Sequence, residues 1–178
     1  MYKGLFKGNN KVSSLTLTEA LLQNYKSDVF FETGTYNGGG IQVALNVGFT
    51  RIYSCELDHY LFNVCWQKFE EVRNVSIFCG ESSKIIREIC KDINTKITFW
   101  LDAHQIGGGR SALLEELDAI AYHHIKDHNI LIDDRNYFHT WGIRENVVLD
   151  KLKIINPNYK ITYEDNCRGK EAIMIATI

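Results

Sequence analysis

Apolar and polar positions follow one another along this chain in short blocks of two kinds. In Leu15 to Tyr25, LTLTEALLQNY, apolar residues recur at helical spacing behind Thr16 and Thr18, so the pattern predicts an opening helix. Asp28 to Glu32, DVFFE, is a short continuous apolar run ended by a glycine-rich turn, the pattern of a parallel strand buried on both faces. The unit then repeats. Further helices are predicted over Gly40 to Val47, Tyr60 to Val72, Ser83 to Lys91, Ser111 to Ile125 and Arg144 to Ile155, and strands over Arg51 to Cys55, Val75 to Cys79, Ile97 to Leu101 and Asn129 to Ile132.

This alternation specifies a mostly parallel sheet with helices on both faces, because right-handed crossovers between parallel strands need a helix-length connection. The end differs: Tyr159 to Tyr163 and Ala172 to Ile178 are strand-like runs joined by EDNCRGKE, too short for a crossover, which predicts an antiparallel hairpin. The expected fold is α/β, a doubly wound seven-stranded sheet in three α/β/α layers. Pro157, the chain's single proline, falls just past the last predicted helix. With 178 residues the chain is expected to form one domain, residues 1–27 being a helical segment packed on it.

Composition narrows the classes. A hydrophobic fraction of 45% and a charged fraction of 24% are those of a chain that folds alone. The net charge of −2 gives no electrostatic footprint for duplex nucleic acid. No stretch approaches the ~20 apolar residues of a membrane span, and MYKGLFKGNNKVSS lacks the apolar middle of a signal peptide, so a cytoplasmic location is expected. Cys55, Cys65, Cys79, Cys90 and Cys167 form no CxxC pair and read as reduced thiols; Cys79, at a predicted strand end, is the one placed to touch a ligand.

The candidate chemistry starts at FETGTYNGGG, Phe31 to Gly40, between the first strand and a helix. Glycine there permits positive φ and lets a ligand approach the backbone, but Gly34, Gly38, Gly39 and Gly40 do not have the GxGxxG spacing of a pyrophosphate cradle. Glu32, ending the strand, would repel phosphate and suits a ligand with a cationic amino group. Glu56 ends the second strand some twenty residues further on, where a carboxylate can hold both ribose hydroxyls of a nucleoside.

These features together resemble the class I S-adenosylmethionine-dependent methyltransferases, over nearly the whole chain and including the terminal hairpin. The resemblance implies a Rossmann-like fold, S-adenosylmethionine as methyl donor, and a donor site formed by Glu32, Gly34, Thr35, Tyr36, Gly38, Glu56 and the adenine-contacting turn Gly80, Glu81 and Ser82, closed by Asp102.

Asp102 ends the fourth strand, ITFWLDAH, and Asp133 and Asp134 end the fifth, NILIDDRN, so all three acids should face the rim where open parallel sheets bind ligands. With no lysine or arginine between them they would repel one another unless neutralised, and a hard divalent cation such as Mg²⁺ is the commonest neutraliser. His104 lies two residues after Asp102, on the same side if the chain stays extended, and is the candidate base. The arrangement resembles the metal-dependent O-methyltransferases acting on sugar hydroxyls of macrolide and aminocoumarin antibiotics, which implies Asp102, Asp133 and Asp134 as Mg²⁺ ligands and His104 as base. The chain departs from that family by lacking its long amino-terminal extension and by placing histidine where the base is usually a carboxylate.

The loop Gln105 to Arg110, QIGGGR, is expected to be a mobile lid. Arg110 or Arg135 is a candidate clamp for an anionic group, and Tyr137 and Trp141 for an aromatic wall. His123, His124, His128 and His139 show no ligand spacing and are expected at the surface. The acceptor would be a small molecule or saccharide, in a pocket that is open, shared across a homodimer or completed by a partner. Two other readings stay open: a metal-dependent hydrolase using the Asp and His cluster, and a non-catalytic module that binds S-adenosylmethionine.

Overall fold

The computed structural model describes residues 16–104 and 111–178. The first fifteen residues, the expected lid and Arg110 lie outside them. Among the described residues the helices are α1 (Glu19–Asn24), α2 (Gly39–Val47), α3 (His59–Phe69), α4 (Ser82–Cys90), α5 (Leu113–Ala121) and α6 (Glu145–Ile155). The strands are β1 (Val29–Thr33), β2 (Arg51–Glu56), β3 (Val75–Cys79), β4 (Ile97–Leu101), β5 (Asn129–Ile132), β6 (Lys160–Asn166) and β7 (Gly169–Thr177). They form one sheet in the order β3-β2-β1-β4-β5-β7-β6, parallel except for β7, which runs antiparallel to β5 and β6. The alternation of blocks therefore yields the doubly wound, three-layer architecture expected of it.

The central strands are apolar throughout because both faces are covered. Along β1 the side chains alternate, Val29 and Phe31 packing with Phe99, Leu117 and Leu152 on one face, and Phe30 with Ile41, Phe49 and Trp100 on the other. Helices α4, α5 and α6 cover the first face, α1 and α2 the second. Thr18 caps α1, its Oγ1 accepting from the Leu21 amide at 3.2 Å, and Asp58 caps α3 by accepting from Tyr60 and Leu61.

Three local features differ from the sequence expectation. A 3-10 helix, Arg135–Trp141, fills the stretch after β5 and starts at Asp134 in the left-handed region, φ 54°. The hairpin strands run on to Asn166 and Gly169, so the turn is only Cys167 and Arg168. Helix α5 ends at Ala121 instead of continuing to Ile125, and this early end turns His123 inward. His123 and His128 are buried, against the expectation of surface residues, whereas His124 and His139 are exposed as expected.

The two buried histidines are wired in series. The Ile97 amide donates to His128 Nδ1 at 3.1 Å, so the proton of that ring sits on Nε2 and is donated to His123 Nδ1, 2.8 Å away. His123 Nε2 then donates to the Ile93 carbonyl at 2.7 Å. The rings stack at 4.9 Å and Phe99 meets His128 edge-on at 5.2 Å. Every ring nitrogen is used in the neutral form, so a further proton would break one of these bonds. Burial accordingly lowers the affinity of both for protons, His128 to about 3.

Because the unfolded chain protonates these rings near pH ~6.5 while the fold resists it, their contribution to stability is complete above that pH and is lost as the pH falls below it. The loss is at most ~1.4 kcal/mol per pH unit for each ring. A His123→Asn/His128→Asn double variant is therefore expected to be less stable at pH 7 and to lose less stability between pH 6.5 and 4.5. Urea denaturation at several pH values checks this, and an unchanged acid slope would assign the lability to other groups.

Candidate active site at the carboxyl edge of the sheet

Strand order reverses between β1 and β4, which diverge into crossovers on opposite sides and leave a crevice beyond their carboxyl ends. The glycine-rich turn follows β1 and Asp102 follows β4, so both face this crevice. They approach very closely: a Cβ on Gly34, which has φ 82°, would stand 2.7 Å from the Asp102 carbonyl oxygen. The Asp102 amide also donates to Thr33 Oγ1 at 3.2 Å. Glycine at position 34 is what lets the two strand ends meet.

Glu32 does not reach into the crevice. Its carboxyl is buried beneath the first turn of α2, accepting from Ser54 Oγ at 2.8 Å and from the Ile41 amide, and Ser54 in turn meets Thr35 Oγ1 at 2.6 Å. Burial pushes its pKa up to about 8, with smaller repulsion from Asp102 and Glu56. Glu56 holds the rim together instead: Oε2 accepts from the Tyr36 amide at 2.8 Å and Oε1 from the Asp58 amide at 3.0 Å. Each oxygen keeps a second lone pair for a ligand hydroxyl. Tyr36 is held at φ 48°, a position disfavoured for a bulky residue, with its ring exposed.

The turn after β3 is built from Gly80, at φ 145° with its amide on the Glu56 carbonyl, and Glu81, which pairs with Lys84 at 3.0 Å. Ser82 is buried and bonded to Glu116. Cys79 lies on the same rim, its Sγ 3.3 Å from His59 Nδ1. Gly38 ends the glycine turn at φ 77° against the Phe69 ring, and Asn37 Oδ1 accepts from the Gly39 amide at the start of α2 at 3.1 Å.

On the other side of the crevice His104 stands between two carboxylates, Nδ1 3.2 Å from Asp102 Oδ1 and Nε2 3.2 Å from Asp134 Oδ2. Asp102 raises its proton affinity, and the Trp141 ring stacks on it at 5.0 Å. Tyr137 lies 6.3 Å beyond Trp141 and is largely exposed. Arg135 turns away to pair with Glu145 at 3.0 Å and Glu171 at 3.6 Å, and is not placed to clamp a ligand here.

Contrary to the expectation from sequence, the three acids do have a cation: Arg168, on the hairpin turn, donates to Asp134 Oδ2 at 2.6 Å. The early turn of β6 into β7 brings it there. Asp102, His104 and Asp134 place one ligand atom each within 4.8 Å of one another, spacing and chemistry that suit a divalent cation. Asp133 is not in that set; its Oδ1 accepts from Asn166 Nδ2 at 2.9 Å.

A fourth acid, Glu116, joins them from the first turn of α5, and sequence reading missed it. It is buried, held by the Ser82 and Thr33 hydroxyls, and burial pushes its pKa up to about 7. Asp102 and Asp133 are raised too, chiefly by burial. Among the described residues, Asp102 Oδ1, Asp133 Oδ2, Asp134 Oδ1 and Glu116 Oε1 are buried with no hydrogen-bond partner, Asp102 Oδ1 having only the unaligned ionic contact with His104. The signal for Glu116 was an acid in the run LLEELDAI on what reads as the buried stripe of a helix.

The packing of Glu32 under α2 is directly testable. A Cβ at Gly40 would stand 1.9 Å from Glu32 Oε2, which Ser54 and Ile41 hold in place, so Gly40→Ala is expected to destabilise by roughly 2 kcal/mol or more. Glu32→Gln, replacing a carboxyl that keeps its proton at pH 7, is expected to change stability by less than ~1 kcal/mol in urea denaturation. A large loss in Glu32→Gln would show that the charged form is the one held.

No protein-family model matches the sequence, and no curated protein does. Solved structures do match in fold. The O-methyltransferase TomG of Streptomyces achromogenes, involved in tomaymycin synthesis and solved with SAM, is 12% identical, with 90% of this chain on 77% of that one at a TM-score of 0.60. An O-methyltransferase of Bacillus cereus solved with SAH is 12% identical, with 90% on 78% at 0.62. Spermidine synthase of Thermotoga maritima is 10% identical, with 91% of this chain on 57% of that one at 0.62. The chain thus has the Rossmann-like fold of the class I S-adenosylmethionine-dependent methyltransferases.

Proposed function

We propose that this protein is an S-adenosylmethionine-dependent methyltransferase that methylates a hydroxyl of a small molecule or saccharide. The observation that carries the reading is the meeting, at the switch point of the sheet, of a nucleoside-type rim and a proton-accepting group: Glu56 with the Tyr36 turn on one side, His104 between Asp102 and Asp134 on the other. The donor-binding residues are Glu56, Gly34, Thr35, Tyr36 and Gly38, with Gly80, Glu81 and Ser82 beside the base and Asp102 closing the site. Glu32 acts from beneath, fixing the amino end of α2.

In the reaction the acceptor oxygen attacks the methyl carbon of the sulfonium, the carbon–sulfur bond breaks, and S-adenosylhomocysteine leaves. Neutral His104, its Nδ1–H on Asp102, takes the hydroxyl proton at Nε2, with the acceptor hydroxyl entering between that nitrogen and Asp134, and the two acids stabilise the charged ring that results. Trp141 covers the other face of the ring.

The Asp102, His104 and Asp134 donor set favours a second version, in which these residues hold Mg²⁺. The ion would supply a Lewis acid that lowers the pKa of the acceptor hydroxyl. Arg168 already sets a cation against Asp134, which favours the version without metal. No described helix is long and apolar enough to cross a membrane.

Calorimetric titration with S-adenosylhomocysteine is expected to show micromolar binding, weakened at least ~10-fold in Glu56→Ala, which removes the acceptor of the Tyr36 and Asp58 amides. His104→Asn is expected to lower the rate of methyl transfer by ~10²–10⁴ while leaving that binding within about twofold. Full activity in EDTA supports the metal-free version, and loss restored by Mg²⁺ supports the other. Absence of binding to the wild type would overturn the methyltransferase reading.

A further inference from the structure

Arg168 is delivered to the site by a braced turn. Cys167 and Arg168 join β6 to β7, and Asn166 Oδ1 accepts from the Arg168 amide at 2.7 Å and from the Gly169 amide at 3.1 Å. Asn166 Nδ2 donates in turn to Asp133 Oδ1 at 2.9 Å, and a Cβ on Gly169 would stand 2.6 Å from Asn136 Nδ2 on the 3-10 helix. The turn is thus fastened, on both sides of Arg168, to the segment that follows β5. From there the Arg168 side chain, 41% exposed, brings Nη1 to 2.6 Å from Oδ2 of Asp134, which is 2% exposed.

Asp134 is also one of the three residues whose ligand atoms are close enough to share a divalent cation. Ionised Asp102 and Asp134 carry two negative charges, which such an ion would balance, and Arg168 cancels one of them first. Asp134 Oδ2 faces His104 Nε2 at 3.2 Å and holds the guanidinium more closely, so an ion on that oxygen has to displace Arg168. An ion on Asp134 Oδ1, which is buried without a hydrogen-bond partner, has to share one carboxylate with a second positive charge. Arginine does not lose its proton in proteins, so this competition holds at every working pH.

We propose that Arg168 is the resident counter-ion of this site and excludes divalent metal from it, so that Asp102, His104 and Asp134 become a metal site only when the guanidinium is removed. A guanidinium, unlike Mg²⁺, offers substrate oxygens no open coordination position. On the transferase reading, on which this consequence rests, the acceptor therefore needs one hydroxyl facing His104 and not two chelating oxygens.

The probe is Mn²⁺ alone, titrated without donor or acceptor and followed by the electron paramagnetic resonance signal of the free ion. Wild-type protein is expected to bind it weakly, and Arg168→Gln, which removes the charge from the turn, to bind it at least ~10-fold more tightly. Arg168→Ala is expected to show the same gain and serves as the second variant, with circular dichroism reporting the folding of both. Adding Asp134→Asn to either variant is expected to abolish the gain, which distinguishes this cluster from acids elsewhere on the surface. Absence of a gain in folded Arg168→Gln and Arg168→Ala, or a gain that survives Asp134→Asn, would overturn the proposal. Micromolar binding by the wild type would overturn it whatever the variants do. The transferase reading stands or falls separately, on the S-adenosylhomocysteine titration, in which Mn²⁺ takes no part.

Discussion

Everything at the candidate site depends on how closely the ends of β1 and β4 approach one another. At Gly34 there is no room for a single additional carbon before the Asp102 carbonyl, and Thr33 is tied to the Asp102 amide. That contact fixes the distance between the glycine-rich turn and the Asp102–His104 segment, and so the distance between any nucleoside on one side and any acceptor on the other. It is a backbone constraint, set by two adjacent parallel strands and a residue without a side chain. A side chain at position 34 would push the halves of the crevice apart without touching a ligand.

The second constraint is charge. Four carboxylates gather beyond the carboxyl ends of β4 and β5, and among the described residues the basic groups near them are His104 and Arg168. Repulsion between buried acids is relieved by protonation, by ion pairs or by a ligand, and the structure divides them accordingly. Asp102 and Asp134 take the ion pairs. Glu116 and Asp133 pair with no cation among the described residues, and each keeps one buried oxygen without a hydrogen-bond partner, as Asp134 also does.

Much of this was legible in the sequence, and the legible part has a physical reason. Hydrophobic blocks of strand and helix length reflect burial on both faces or on one, so the sheet, its crossovers and the terminal hairpin could be read from order alone. Asp102 with His104, and Glu56 with the glycine turn, were legible because strand ends project onto a common rim. Glu116 was not, since a carboxylate on the buried stripe of a helix has the spacing of any helix residue and only the packing of α5 against β1 and α4 reveals where it points. Arg168 was hidden by a two-residue turn read as a long loop, and the inward turn of His123 by a helix that ends four residues before its pattern does.

The division between what was legible and what was not follows the division of labour in the site. The β1 side of the crevice is made of strand ends, turns and backbone amides, which the order of elements dictates: the Tyr36 and Asp58 amides on Glu56, the amino end of α2, the Gly80 turn. The β4 side is made of single side chains sent in from α5, the 3-10 helix and the β6–β7 turn, namely Glu116, Trp141 and Arg168, none of them required by the sheet. O-methyltransferases and a spermidine synthase share this fold with the chain, so the architecture places the crevice without selecting what is transferred or to what. Selection has to come from residues the fold leaves free to vary. Here those residues are a buried acid, an aromatic ring stacked on His104 and an arginine paired with Asp134, and none of them follows from the glycine turn.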